Sequence, residues 1–358
     1  MLASNGIANE VWRSGPGPYF ATASYVPIDL PEQVLTLILS LVHKQAKTPG
    51  DHACCGGVSA IPTALRDVMC GIGAVTKGWR RLVGEFRMRD GSAWLRVSGA
   101  CAAAECLSAF PRAHSLRVNG DARVRDVVTV LASRSVERLS LEHNKSLRHC
   151  RGLRHMASLR TLHLNSCCRL SDVRGLSSLA GLCTLDLNGC DQLRDVRALS
   201  SLVGLHSLNV SGCKLLRDVR ALSSLAGLCT LDLSGCYQLR DVRALSSLVK
   251  LEVLDLGCCH QVSDVHALSA LVELHTLSLG GCVELRDVRA VSSLVKLQTL
   301  DLRGCYKLSD VRPLSSLVGL QTLDLCCCYQ LSDVNSLSAL SALSRLQTLK
   351  LPAGSCRV

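Results

Sequence analysis

Thiols are the side chains whose number and spacing most invite chemistry in this sequence. There are 21 cysteines in 358 residues, and eight of them, Cys167, Cys190, Cys213, Cys236, Cys259, Cys282, Cys305 and Cys328, follow one another at intervals of 23. A thiol can crosslink, hold a metal or attack an electrophile, and each use makes its own demand on spacing. The adjacent groups Cys54-Cys55, Cys167-Cys168, Cys258-Cys259 and Cys326-Cys327-Cys328 lack the Cys-x-x-Cys spacing of a zinc site, and a linear stack of thiols does not converge on a tetrahedron. Thiols one period apart on stacked coils would lie near the separation a disulfide permits, but the odd total and an intracellular reading of the chain argue against a crosslinked framework. What remains is a structural role, in which cysteine acts as a small buried residue with a weak S–H donor.

Other reactive patterns are weaker. Gly71-Ile72-Gly73 is the best glycine-rich fragment, yet no Gly-Lys-Ser/Thr follows it and Lys77 precedes Gly78. His163, His206, His260, His266 and His275 fall in different periods, with no nucleophile placed beside them by spacing. The expectation is a chain without catalytic residues, cofactor or metal.

The 23-residue interval is itself the strongest signal, because a strict period of this size marks stacked repeats. Each cysteine closes the pattern Leu228-x-x-Leu231-x-Leu233-x-x-Cys236, followed by Leu239-x-Asp241-Val242 and then Leu245, Leu248 and Leu251. Leu231 and Leu233 are two apart, so both point to one face of a short strand. One coil cannot bury them; a stack of coils can, with strands ~4.8 Å apart in a parallel sheet. The ladder starts early, with Val136, Leu139, Leu141 and Asn144 in register, a degenerate copy at Ala113, Leu116, Val118 and Asp121, and a poorer one at Ala93 to Val97. At the far end Leu346, Leu349 and Leu351 come three residues late, after an insertion-like run at 341–344, and the last coil is expected to expose an apolar edge.

These residues carry a resemblance to the leucine-rich repeat, in the Cys-x-x-Leu-x-Asp variant of F-box leucine-rich repeat proteins. It covers roughly residues 113–352. It implies an α/β leucine-rich repeat solenoid, a horseshoe with a parallel concave β-sheet. The chain is also similar, more weakly, to leucine-rich repeat proteins of trypanosomatid parasites.

Between the two core leucines of each strand one side chain faces the concave surface. Steps of 23 from position 140 give Ser140, His163, Asp186, Asn209, Asp232, Asp255, Ser278, Asp301 and Asp324, with Lys350 from the late final repeat. Asp186, Asp232, Asp255, Asp301 and Asp324 thus form a strip suited to a protein partner, with small residues such as Thr184, Ser207 and Thr230 beside it. Past the turn, Arg174, Arg197, Arg220, Arg243, His266, Arg289 and Arg312 follow two residues after Asp172, Asp195, Asp218, Asp241, Asp264, Asp287 and Asp310, which are expected to cap backbone amides. With a net charge of +11 that ridge admits an acidic partner or RNA. Only 3% of residues are aromatic, which argues against base stacking and makes nucleic acid the least favoured partner. Tyr237, Tyr306 and Tyr329 each follow a ladder cysteine at a loop edge and are candidate interface anchors.

Ahead of the repeats, Leu30-Pro31-Glu32-Gln33-Val34 opens a helical pattern with Val34, Leu37, Ile38 and Leu41 on one face and Asp29 as cap; a second helical stretch over 64–83 ends in Val75-Thr76-Lys77-Gly78-Trp79-Arg80-Arg81-Leu82. This resembles an F-box, which implies that Leu30, Pro31, Val34, Leu37, Ile38 and the Trp79 region bind a Skp-type adaptor of a cullin-based ubiquitin ligase. Thr76 stands where that pattern has cysteine, three glycines weaken the second stretch, and residues 43–63 form a long connection, so an ordinary helical cap on the solenoid is the competing reading. The expected organisation is an irregular segment over 1–26, the F-box-like module over 27–92, a degenerate junction over 93–135 and the solenoid over 136–358. No run of signal-peptide or membrane-spanning character appears, so the expected setting is cytoplasmic or nuclear with no membrane partner. Asn144-Lys145-Ser146 and Asn209-Val210-Ser211 match the glycosylation sequon by chance on this reading.

Overall fold

Leucines three residues apart and two residues apart alternate along each period, and the backbone follows that alternation. The structure, a computed structural model, describes residues 95–98, 114–119, 131, 135–331 and 337–352. By backbone proximity the described residues from Leu116 onward belong to one compact unit. The F-box-like module over 27–92, with Leu30, Pro31, Val34, Leu37, Ile38 and Trp79, lies outside the described residues.

Among the described residues twelve strands form one sheet in strict chain order: β1 (Leu95–Ser98), β2 (Ser115–Asn119), β3 (Arg138–Ser140), β4 (Thr161–His163), β5 (Thr184–Asp186), β6 (Ser207–Asn209), β7 (Thr230–Asp232), β8 (Val253–Asp255), β9 (Thr276–Ser278), β10 (Thr299–Asp301), β11 (Thr322–Asp324) and β12 (Thr348–Lys350). From β3 to β12 every neighbouring pair is parallel. Leu139, Leu162, Leu185, Leu208, Leu231, Leu254, Leu277, Leu300 and Leu323 stand side by side in that register, each at most 1% exposed. One coil buries Leu228, Leu231, Leu233, Cys236, Leu239, Val242, Leu245 and Leu248 almost completely. At ~1.5–3 kcal/mol for each large aliphatic side chain, this burial is the main drive holding coil to coil.

The return limb is where the expected α/β character changes. Between strands the described coils carry short 3-10 turns, such as Arg197–Ser201 and Arg243–Ser247, and no α-helix of several turns. The reason lies in the spacing. Val196, Leu199, Leu202 and Leu205 recur every three residues, and Leu199, Leu202 and Leu205 each donate an amide bond of 2.9 Å to the carbonyl three residues back. With 3.0 residues per turn a 3-10 path keeps all four on the buried side, where a 3.6-residue helix would rotate them away.

Serines tie these limbs together. Ser201, Ser224, Ser247, Ser293 and Ser316 donate from Oγ to the carbonyls of Ser177, Ser200, Ser223, Ser269 and Ser292 in the preceding coil, at 2.8–3.0 Å. The late final coil is confirmed by register, since Thr322 pairs with Thr348 and Leu323 with Leu349, an offset of 26. The position of the extra residues is not where the sequence suggested. Leu340 and Leu343, both 5% exposed, continue the three-residue amide relay in the places of Leu314 and Leu317, already 26 residues on. The 341–344 run is therefore part of the regular coil, and the three added residues fall between Leu331 and Leu340. Leu349 in β12 is 40% exposed, so the last described strand presents apolar surface.

Candidate functional site

The ladder cysteines are occupied by the fold. Each is fully buried, and each thiol donates to a carbonyl of the preceding coil: Cys167 to Leu141, Cys190 to Leu164, Cys213 to Leu187, Cys236 to Val210, Cys259 to Leu233, Cys282 to Leu256, Cys305 to Leu279 and Cys328 to Leu302, at 3.0–3.5 Å. Asn144, one period earlier, is also buried, and its Oδ1 accepts from the amides of Ser146 and Leu147. A buried side chain with that bonding is no place for a glycan. Burial pushes the thiols of Cys167 and Cys328 up to about 11, and those between them higher still, so they stay protonated and unreactive. The described cysteines are all free thiols.

The polar chemistry lies on the strand face, where Ser140 is fully buried and most of the other side chains are half-buried. Ser140, His163, Asp186, Asn209, Asp232, Asp255, Ser278, Asp301, Asp324 and Lys350 are aligned one against the next through the sheet register. The sequence-derived strip is therefore a single row. Its carboxylates are not equivalent, and each also serves its own turn. Asp186, Asp232, Asp255, Asp301 and Asp324 accept through Oδ1 from the amide two residues on, at Asn188, Ser234, Gly257, Arg303 and Cys326, over 2.7–3.0 Å. Asn209 does the same from the Ser211 amide at 2.9 Å. The sequence reading assigned these side chains to a partner and missed this turn-forming bond.

Toward the ends of the row, the second carboxylate oxygen meets a neighbouring side chain. Asp301 lies 2.9 Å from Nε of Arg303 and Asp324 3.0 Å from Nζ of Lys350, both cations, and Asp186 lies 3.6 Å from the imidazole Nδ1 of His163. Asp324 is buried, at 8% exposure, which leaves it little surface for a partner. Burial opposes its ionisation, but bonds from the Cys326 amide and the Lys350 ammonium outweigh that and hold its carboxyl below the usual range. Asp301 is displaced upward, chiefly by burial. Asp232 and Asp255, paired directly across β7 and β8, have no cation within ion-pair distance among the described residues.

The second row behaves as capping chemistry. Asp172, Asp195, Asp218, Asp241, Asp264, Asp287 and Asp310 accept through Oδ1 from the amide two residues later at 2.8–2.9 Å, opening each 3-10 turn. Arg197, Arg220, Arg243, Arg289 and Arg312 fold back onto these same carboxylates at 2.7–3.1 Å. The Arg243 guanidinium, with its backbone amide, lowers Asp241 to about 2. Both partners are largely exposed, so solvent screens the pair and it contributes little to stability. The ridge is thus substantially neutralised in the coils of Arg197, Arg220, Arg243, Arg289 and Arg312, which weakens the case for a polyanion there.

Among the described residues, no helix is long and apolar enough to cross a membrane. No family model and no curated protein sequence matches the chain. Solved structures do. An internalin from Listeria monocytogenes is 20% identical over 70% of this chain and 78% of its own, with a TM-score of 0.50; an internalin C2 from the same organism is 26% identical over 63% of this chain and 83% of its own, with a TM-score of 0.43. The first likeness, together with the strand ladder, decides the architecture. The fold is a leucine-rich repeat solenoid. In a leucine-rich repeat the strand face is the concave one, so the row from Ser140 to Lys350 lines the concave surface and the 3-10 limbs lie opposite.

Proposed function

We propose that this chain is a non-catalytic recognition scaffold that holds a polypeptide on its concave strand face, and that the F-box-like segment over 27–92 joins it through a Skp-type adaptor to a cullin-based ubiquitin ligase as substrate receptor. The observation that supports recognition is the unbroken row from Ser140 to Lys350, an open parallel sheet with polar and small side chains aligned across ten coils. Such a surface contacts many residues of a partner at once while its own backbone stays fixed by neighbouring coils. Reactive groups are spent on structure, as the thiols and the ridge carboxylates show. In this reading the solenoid contributes proximity, and the chemistry belongs to the ligase.

The adaptor link rests on Leu30, Pro31, Val34, Leu37, Ile38 and Trp79, whose order and placement ahead of the repeats resemble an F-box. It carries with it a cytoplasmic or nuclear setting. Co-purification of a Skp-type adaptor with the full-length chain, compared with a Leu30→Ala, Pro31→Ala variant, tests it. Retention by the wild type with loss of about tenfold or more in the variant supports the ligase role, since these side chains would sit at the centre of that interface. No retention by either leaves a stand-alone recognition scaffold.

A further inference from the structure

Directly after the buried cysteine each coil presents one side chain on its turn, and in five successive coils it is Tyr237, His260, Val283, Tyr306 and Tyr329. Three of the chain's five tyrosines are in this strip. Tyr237 stacks on His260 with centroids 5.0 Å apart and planes within 12°, and Tyr306 stacks on Tyr329 at 5.6 Å and 15°. The tyrosines remain 41%, 47% and 66% exposed. Earlier coils carry Cys168, Asp191 and Lys214 at this position, so the rim of rings begins at Tyr237.

The same coils hold the uncompensated part of the concave row. Asp232 and Asp255 are register partners, and among the described residues neither has an internal cation such as Arg303 at Asp301 or Lys350 at Asp324. Two residues past the strand, where other coils place Asn188, Ser211, Ser234, Arg303 and Cys326, the coils beside Asp255 have Gly257 and Gly280. A Cβ at Gly257 would come within 2.9 Å of Asp255 Oδ1 and 3.2 Å of Ser278 Oγ, so glycine keeps that carboxylate uncovered. Stacked exposed rings and paired carboxylates without a cation thus fall on the same two adjoining coils, Asp232 accepting also from Ser234 Oγ at 2.7 Å.

We propose that the strip from Tyr237 to Tyr329, with Asp232 and Asp255 on the adjoining strand face, docks an extended basic segment of a partner polypeptide. One arginine of that segment bridges the two carboxylates, and its aliphatic neighbours lie on the stacked rings. Charge complementarity selects this occupant. Carboxylates on adjacent strands repel, and a guanidinium with its planar fork of donors relieves both at once. A phosphate backbone would meet the opposite sign. This proposal rests on the reading of the concave face as the recognition surface and adds the chemistry of the partner.

The row supplies its own conservative variant. Asn209 makes the same turn bond as the aspartates, so Asp232→Asn with Asp255→Asn removes charge and leaves the turn intact. The probe is a fluorescein-labelled octapeptide alternating leucine and arginine, alongside its citrulline counterpart, titrated by anisotropy against the full-length chain. The expected result is saturable binding of the arginine peptide alone, weakened about tenfold or more by the double variant and several-fold by Tyr237→Ala. Glu273→Gln, whose carboxylate pairs with Lys296 outside the row, should leave it unchanged. No saturable binding, or equal affinity for both peptides, overturns the proposal. So does binding that survives the double variant; if Asn209→Arg with Ser278→Arg then abolishes it, concave recognition stands and only this anchor falls. Peptide binding that persists through all these changes removes both.

Discussion

Cys236 illustrates how much a single side chain is asked to do. It fills a fully buried position, and its thiol satisfies the Val210 carbonyl at 3.4 Å one coil away. Thiols in this ladder have their pKa raised above the ordinary value of 9.0, chiefly by burial, with Cys167 and Cys328 at about 11. The protonated form is therefore favoured by folding, and its contribution is complete below pH 9 and is lost as pH rises through 11 and beyond. The urea midpoint should fall over that window. At pH 8 a thiol reagent mapped by peptide mass should label the exposed Cys168, Cys258 and Cys327 at once and the ladder thiols only in denaturant. Labelling of Cys236 as fast as Cys168 in the native protein would refute the arrangement. From sequence, the inward direction of these thiols was legible from their interval. Their acceptors were not, because a bond to a carbonyl 26 residues earlier depends on how coils stack. The carboxylates show the same limit: spacing aligned Asp232 with Asp255, while the cations that neutralise Asp301 and Asp324 come from Arg303 and Lys350, outside the 23-residue pattern.

At the scale of the element, the turn after each strand requires one residue in the left-handed region. Gly189, Gly212, Gly235, Gly281 and Gly304 supply it with φ between 66° and 75°, while His143, Ser166, Cys258 and Cys327 occupy the equivalent place at 57–60°. A Cβ on Gly235 would meet only the Gly212 backbone at 3.4–3.5 Å, an ordinary contact. Gly235→Ala should therefore cost only the conformational penalty, ~1–2 kcal/mol. Cys258→Gly relieves the same strain but adds freedom to the unfolded chain, so a gain below ~1 kcal/mol is expected. Urea melts of the two variants check the pair, and a stabilising Gly235→Ala would show that the turn is not strained. The strand and turn were readable from Leu-x-Leu and the cysteine. The 3-10 limb was written as plainly in the three-residue spacing of Val242, Leu245, Leu248 and Leu251, but an α/β expectation passed over it. The serine bonds between limbs have no periodic apolar signature and became visible only with the coils in place.

For the molecule as a whole, the unit of stability is the interface between neighbouring coils, and the length of the period decides whether that interface can form. The final coil shows the tolerance: three added residues between Leu331 and Leu340 are absorbed, and Thr348 still pairs with Thr322. Removing residues 222–244 takes out one period of 23 and joins Ala221 to Leu245, recreating the Ala-Leu junction already present at Ala221-Leu222 and Ala244-Leu245. Cys259 would then find the Val210 carbonyl where it now has that of Leu233, and every later rung keeps its register. Removing residues 222–232 instead brings buried and exposed positions out of phase across the junction. A nearest-neighbour stack predicts that the first deletion leaves a cooperative urea transition with a smaller m-value, in proportion to the surface lost. The second should uncouple the coils on either side and broaden the transition or split it in two. If the two deletions gave the same melt, stability would have to come from contacts other than those between adjoining coils, and the ladder of Leu231, Leu254 and Leu277 would not be the element that holds the recognition face in line.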